Sequence, residues 1–384
     1  VGLEYYIGQL IRLEHVRVVY EEQLVDPWDL LMQKLDAPEV PDASCLGSSA
    51  SHYTLADIAF TPRKKCPEGQ RRMINFHNPI RHAWNDERKL IPRIVHQHSD
   101  TRCLTMRVDR TSTKWAFHHW SYYIHDEESR DRLFEKYCGD FTQSCEFPLL
   151  CQIVSKCFRT NHRNRVRYDS LKIELWKFLV LWIFGGVYVE LGFLPSKFHG
   201  GSIHKDDDGF FWIDPKTGML STKLMAVSPR HPIMYYAVQS LLLAMLAEGE
   251  KEGESSSLLL AGDDAGSRIL SRALWMFRDQ PQPPDGEKLS PGQYQGVLNR
   301  SVNVMGGHGL VLPEQQEGGG GDVVARNGNG WVVSVFTSDQ DREAEFRKIG
   351  MVKDTIGEKD GGNEGRLSPC FGELYHLRKV SLLS

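Results

Sequence analysis

The segment FLVLWIFGGVYVELGF, residues 178–193, runs from Phe178 to Val189 without a charge and then meets Glu190. A carboxylate ending so apolar a stretch is costly to bury alone, so it must reach solvent, a cation or a hydrogen-bond donor. Upstream, Glu174 and Lys177 stand three residues apart, the spacing of neighbours on one helix face. KDDDGFF, 205–211, contains a D-x-D pair, Asp206 and Asp208. AGDDAGSRIL, 261–270, puts Asp263 and Asp264 where a helix would begin. His96 and Gln97 close a short apolar run, and His376 stands in ELYHLRK towards the end of the chain. These side chains suit the holding of a cation or the orientation of a polar ligand. The chain lacks G-x-x-x-x-G-K-[ST], G-x-S-x-G and H-E-x-x-H, and GGGG at 318–321 lacks the strand–turn–helix setting of a phosphate loop.

The elements that must position these groups are legible from 91 onwards. IPRIVHQ, 91–97, reads as a strand, and Trp120–Ile124 as another, followed by a helix whose acidic start suits its dipole. Leu171, Leu175, Phe178, Leu179 and Trp182 recur on one helical face, and Gly185-Gly186 stop that helix. VYVEL then alternates: Val187, Val189 and Leu191 on one side, Tyr188 and Glu190 on the other. FFWID (210–214) and KLMAV (223–227) read as strands, 231–248 and 265–278 as helices, and 249–257 as a surface linker. Short strands alternating with helices predict an α/β layer fold, and in an open α/β sheet ligands collect at the carboxyl ends of the strands. Glu190 occupies such an end. Residues 1–90 read as an irregular lead-in or stem, with helix possible before residue 35, and 313–330 as a long low-complexity loop.

The 384 residues carry 41% hydrophobic and 25% charged residues and a net charge of -4. That balance fits a globular chain with a core and argues against a nucleic-acid partner. The basic run FRTNHRNRVR, 158–167, is a solvated loop or a contact for an acidic ligand. No run reaches the roughly 20 apolar residues of a membrane span. The chain starts at Val1, which leaves room for an anchor upstream. The eight cysteines form no C-x-x-C pair, and the four between Cys138 and Cys157 are close enough for local disulfides. With the acceptor Asn299-Arg300-Ser301 they agree with a secretory lumen.

KIELWKFLVLWIFGGVYVELGF (172–193) resembles the signature of the DXD-type sugar transferases of the Golgi outer-chain α-1,6-mannosyltransferase family, K-A-D-L-x-R-Y-x-x-L-Y-x-Y-G-G-I-Y-x-D-x-D. IPRIVHQ is similar to that family's first strand, WSYYIHDEE to its short strand ending in an acidic pair, and KLMAVSPRHPIMYYAV to its later strand-to-helix passage. The likeness covers about residues 91–280.

It implies a Rossmann-like, GT-A type mixed sheet flanked by helices, with the catalytic domain over 91–384. It implies a hexosyltransferase, of the mannosyltransferase kind, taking a nucleotide-sugar donor and a glycan acceptor. Mn2+ or Mg2+ would clamp the donor diphosphate, and the setting would be the Golgi or secretory lumen. Carried over position by position, Glu190 becomes the metal-binding, catalytic carboxylate. Outside the signature, Asp206 and Asp208 form either a solvated turn or a source of the missing metal ligand, and His376 is either structural or a late metal ligand of the kind such folds draw from the C-terminal region. His96, Gln97, Asp126, Glu174, Lys177, Gly185, Gly186 and Tyr188 become donor-site residues. Asp263 and Asp264 either cap their helix or serve the acceptor as catalytic groups. The glutamate–lysine pair is either a surface ion pair or a sugar-hydroxyl contact. The chain departs from the signature in having Glu190 for the first aspartate, Gly192 for the second, Glu174 for the helix aspartate and Lys177 for its arginine. A catalytically decayed relative that binds glycan or a partner enzyme is the alternative reading.

Overall fold

The uncharged run from Phe178 divides into the end of one helix and the strand it feeds. The computed structural model describes residues 54–60, 65–75, 89–105, 115, 120–139, 146–158, 165–191, 206–214, 216–250, 260, 264–280, 289–305, 323–326 and 332–335. The helices are α1 (Leu55–Ala59), α2 (Glu127–Gly139), α3 (Pro148–Ile153), α4 (Arg165–Phe184), α5 (Pro232–Glu250) and α6 (Ala265–Phe277). The strands are β1 (Gln70–Arg72), β2 (Ile94–His98), β3 (Cys103–Thr105), β4 (Ser121–His125), β5 (Gly186–Val189), β6 (Gly209–Ile213), β7 (Leu220–Val227), β8 (Gly292–Gln295), β9 (Ser301–Met305), β10 (Val323–Arg326) and β11 (Val332–Val335).

Seven strands form one mixed sheet in the order β4-β2-β5-β7-β6-β9-β8. β2 runs parallel to both β4 and β5. β7 pairs antiparallel with β5 and with β6, and β9 runs parallel to β6. The expected α/β architecture is therefore present, with a parallel half that ends at His98, Asp126 and Glu190.

The period-two pattern of β5 sorts its side chains as expected. Val187, Val189 and Leu191 join Val95, Tyr122, Phe210 and Ala226 on one face. Tyr188 joins Phe211 and Met225 on the other, beneath α4, α5 and α6. Each large apolar side chain buried there contributes about 1.5–3 kcal/mol. A buried glutamate, Glu146, ties down the lower end of α4: it accepts hydrogen bonds from Tyr137 Oη (2.7 Å) and Trp182 Nε1 (2.9 Å) and pairs with Arg230.

Four readings change. Residues 54–75, assigned to the lead-in, include α1, which packs through Leu55 and Ala59 on Tyr123 of β4, and Asn75, which accepts from Ile124 N (3.0 Å). The surface linker expected over 249–257 begins inside α5, which continues to Glu250. β8 and β9 extend the sheet beyond anything read from sequence, although SVNVM alternates, with Val302 and Val304 turned into the core. Within the expected loop 313–330, β10 pairs antiparallel with β11. The helix expected before residue 35 lies outside the described residues. Cys138 and Cys151 are bridged, as local pairing predicted, and Cys66 is bridged to Cys103.

The chain reverses from α4 into β5 at two glycines with φ of 62° and 100°. A Cβ on Gly185 would lie 2.6 Å from the Pro229 ring, and one on Gly186 would lie 2.6 Å from the Ile94 carbonyl oxygen. Both the left-handed backbone and the close approach require glycine. Gly186→Ala is expected to cost more than about 2 kcal/mol, read as a lower urea midpoint at unchanged m-value. A cost within about 0.5 kcal/mol would show that the reversal tolerates a side chain.

Candidate active site

The helix–strand reversal sets which residues meet at the carboxyl edge. Lys177 lies eight residues before Gly185, about 12 Å along a helix. Glu190 lies four residues past Gly186, about 13 Å along a strand. The two arms of the hairpin therefore bring Lys177 level with Glu190. Lys177 Nζ donates to Glu174 Oε1 at 2.6 Å and lies 5.0 Å from the Tyr188 ring centroid. Burial alone would depress the lysine. Glu174 first, then Tyr188 and Glu190, outweigh it, so its pKa ends above the ordinary value and the ammonium stays charged. Burial pushes the Tyr188 phenol up, so it stays neutral.

Glu190 is half-buried and its Oε2 is shielded from water. Its backbone N–H donates to Lys223 O at 2.8 Å, and its carbonyl accepts from Gln97 Nε2 at 3.4 Å. Gln97 in turn accepts from Tyr122 Oη at 2.8 Å. Gln97 thus braces the strand end from the opposite face.

Glu174 is held from a third side. A Cβ on Gly266 would strike Glu174 Oε2, so the first turn of α6 packs directly on this carboxylate. Asp264 occupies the N-cap position but makes no side-chain cap hydrogen bond, and it is exposed. It therefore stands on the water side of the same cluster. Asp263 and His376 lie outside the described residues.

The other expected site residues separate from this group. Asp126 accepts from Arg102 Nε and from Ser129 N, both at 3.0 Å, so it caps α2. Gly185 and Gly186 lie at the amino end of β5, where Gly186 pairs with Val227. They shape the reversal and do not line the carboxyl edge. Asp208 also lies at that lower edge, since Ser228 N donates to Asp208 O while Glu190 pairs with Lys223. Five residues of β7 separate the two levels, about 16 Å, so Asp208 and the exposed Asp206 beside it share no ion with Glu190. Asp208 is instead a buried strut, accepting from Arg300 Nη2 (2.6 Å) and pairing with His231 (3.5 Å). Burial opposes its charge, but His231 and Arg300 prevail and hold it well below the usual carboxylate range.

His96 is fully buried and forms part of a string with a defined direction. Its Nε2 lies 2.9 Å from Gly185 O, its Nδ1 3.3 Å from His125 Nε2, and His125 Nδ1 3.1 Å from Ser129 Oγ. A carbonyl only accepts, so His96 Nε2–H donates to it, His125 Nε2–H donates to His96 Nδ1, and the Ser129 hydroxyl donates to His125 Nδ1. Both rings are neutral. Burial is the main cause in each, lowering His96 to about 4 and His125 well below its ordinary value. His96 thus holds β2 to the reversal rather than facing a ligand.

Sequence reading missed His98, Asp100 and Arg130. His98 ends β2, touches Arg130 Nη1 through its Nε2, and lies 3.4 Å from Asp100. Arg130 Nη2 lies 3.6 Å from the same carboxylate. An arginine in EESRDR reads as a solvated helix residue, and only packing turns this one inward.

Among the described residues, no group of three His, Cys, Asp or Glu could hold a metal ion, and no helix is long and apolar enough to cross a membrane. The sequence matches no protein-family model and no curated protein. Among solved structures it is similar to the PaToxG glycosyltransferase, at a TM-score of 0.32 and 18% identity over 48% of this chain and 68% of that one. A likeness at this level assigns nothing to this chain.

Two outcomes follow from this geometry. The unfolded chain takes up a proton on His96 near pH 6.5, which the folded protein refuses until about 4. The stability linked to this ring is therefore full above pH 6.5 and lost as pH falls towards 4, by on the order of 3 kcal/mol. Urea unfolding from pH 8 to pH 4 should fall less steeply in His96→Gln, and equal slopes would remove the ring as the cause. Gly266→Ala should destabilise the wild type yet cost little in a Glu174→Ala background, with a coupling of about 1 kcal/mol. Additive losses would show that the two residues do not touch.

Proposed function

We propose that the protein is a glycosyltransferase that moves a hexose from a nucleotide-sugar donor to a glycan hydroxyl. The observation that carries this reading is the meeting of Glu174, Lys177, Tyr188 and Glu190 above the ends of β2 and β5. They lie in the stretch 172–193 that resembles the donor-binding signature of the α-1,6-mannosyltransferase family, with glutamate in place of aspartate at 174 and 190 and lysine in place of arginine at 177. The mixed sheet with a parallel half is the setting in which a nucleotide binds beyond the carboxyl ends.

In this reading the Glu174–Lys177 pair presents one carboxylate and one ammonium to sugar hydroxyls. The pair is largely withdrawn from water, with side-chain exposures of 17% and 9%, so its orientation is held before the sugar arrives. Tyr188 packs beneath Lys177. Asp264, on the water side, orients the acceptor hydroxyl. Glu190 lies nearest the bond that breaks.

The divalent ion implied by the resemblance finds a poor fit among the described residues. Glu190 supplies one carboxylate and shares it electrostatically with the Lys177 ammonium. Gly192 brings no ligand, and Asp206 and Asp208 are at the other edge. No step of the proposed transfer is therefore routed through a metal. The same eroded signature favours the second reading, a decayed relative that keeps the fold and binds glycan or a partner enzyme. The Cys66–Cys103 and Cys138–Cys151 bridges support a secretory-lumen setting, in line with the Golgi expectation.

Glu190→Gln keeps the shape and removes the charge. It is expected to lower release of nucleoside diphosphate from nucleotide-sugar donors by at least about a hundredfold, with the thermal midpoint shifted by no more than about 4 °C. Wild-type turnover in this variant would discard the assignment. A folded wild type that binds glycan but turns over no donor would select the decayed relative.

A further inference from the structure

Two buried arginines flank the carboxyl edge of the parallel strands, and they are satisfied differently. Arg102 donates to Asp126 at 3.0 Å and to the Ile124 carbonyl at 2.9 Å, an arrangement closed to water. Arg130 is as deeply buried, with a side chain 6% exposed, but the carboxylate it faces, Asp100, is 51% exposed and 3.6 Å away. His98, at the end of β2, faces the same carboxylate at 3.4 Å. Both distances exceed the roughly 2.7–2.9 Å of a tight charge-assisted bond. Lys177 follows Trp176, whose ring is 6.1 Å from that of His98, and its charge reaches the His98 ring. A cation, an imidazole and a second cation thus gather at one strand end, under a loosely held, solvent-side carboxylate.

We propose that Arg130 and His98, with Lys177 beside them, form a diphosphate-binding site at the carboxyl end of β2, and that Asp100 occupies the place of a phosphate oxygen until the ligand displaces it. The proposal rests on the donor reading above and supplies what that reading lacks: positive charge for the leaving diphosphate, from side chains in place of an ion. Arginine offers a planar fork that matches phosphate oxygens. The ring of His98 completes the picture. Burial, then the charges of Arg130 and Lys177, hold it neutral in the ligand-free protein, and its Nε2 accepts from the Arg130 guanidinium, so the ring braces the arginine fork at the strand end. The position also agrees with the general placement of phosphates outside the carboxyl ends of parallel strands.

The test is calorimetric titration of the full chain with UDP, GDP and inorganic pyrophosphate, in EDTA and again with manganese. Nucleoside diphosphate should bind in EDTA. Arg130→Gln should weaken it at least about tenfold, the loss of one charge-assisted hydrogen bond, and Arg130→Lys should recover most of that. Asp100→Asn, at an exposed position that leaves folding intact, should tighten binding about twofold to fivefold. Binding that requires manganese and ignores both positions would overturn this proposal and leave the donor reading standing. Pyrophosphate binding as tightly as the nucleotides, with the same Arg130 and Asp100 effects, would keep the site and defeat the donor reading. A folded protein that binds no diphosphate with or without manganese would overturn both.

Discussion

The reversal between α4 and β5 governs the placement of nearly every group discussed above. It is pinned from three directions: Pro229 against Gly185, the Ile94 carbonyl against Gly186, and the His96 imidazole on the Gly185 carbonyl. Arg230 N also donates to Trp182 O at 2.8 Å, and Glu146 holds the Trp182 indole from behind. With the turn immobilised, the rises of helix and strand are matched in length. Glu174 and Lys177 then arrive beside Tyr188 and Glu190 without further adjustment. A side chain on either glycine would shift β5 relative to β2, and the site would open at its floor.

The sheet carries a buried charge cluster at each edge, and the two serve different ends. At the lower edge Asp208 takes up Arg300, Ser228 and His231, so strands β6, β7 and β9 are locked by a network with its partners in place. Removing one member of such a network leaves a buried charge uncompensated and costs about 3–5 kcal/mol. At the upper edge the charges are arranged less tightly. Lys177 is bound by Glu174, but Asp100 sits loosely over Arg130 and His98, and Asp264 stands in water. A tightly paired edge suits stability, and a loosely paired one suits exchange of partners with a ligand.

The D-x-D at Asp206 and Asp208 shows how sequence can mislead about chemistry. The letters match a metal-binding spacing, yet they precede β6, which runs antiparallel to β7 just as β5 does, so they lie level with the amino end of β5 and away from Glu190. Spacing along the chain reports local reach only, and register between strands decides which end of the sheet a residue occupies. The same limitation hid Arg130 and His98. Arg130 belongs to a segment read correctly as helix, and His98 stands one residue past the strand read over 91–97. Their meeting depends on the parallel pairing of β2 with β4 and on the packing of α2 beside that pair.

The sequence by itself determined the central elements around the helix–strand reversal, while α3 and β9, which also supply core residues, went unread. The apolar stripe of α4, the glycine pair, the alternation of VYVEL and the acidic start of α2 are local signals, set by helical and strand periodicity and by backbone sterics. They were enough to place Glu190 at a strand end, to set Tyr188 and Glu190 on the face opposite Val187, Val189 and Leu191, and to predict an α/β sheet. Only the tertiary structure decided that Lys177 is buried against Tyr188, that Gly266 lets α6 close on Glu174, that His96 is an internal strut, and that Asp208 is remote from the site. These are contacts between segments distant in sequence. They follow from sheet order, register and the density of packing, which no short window of residues encodes.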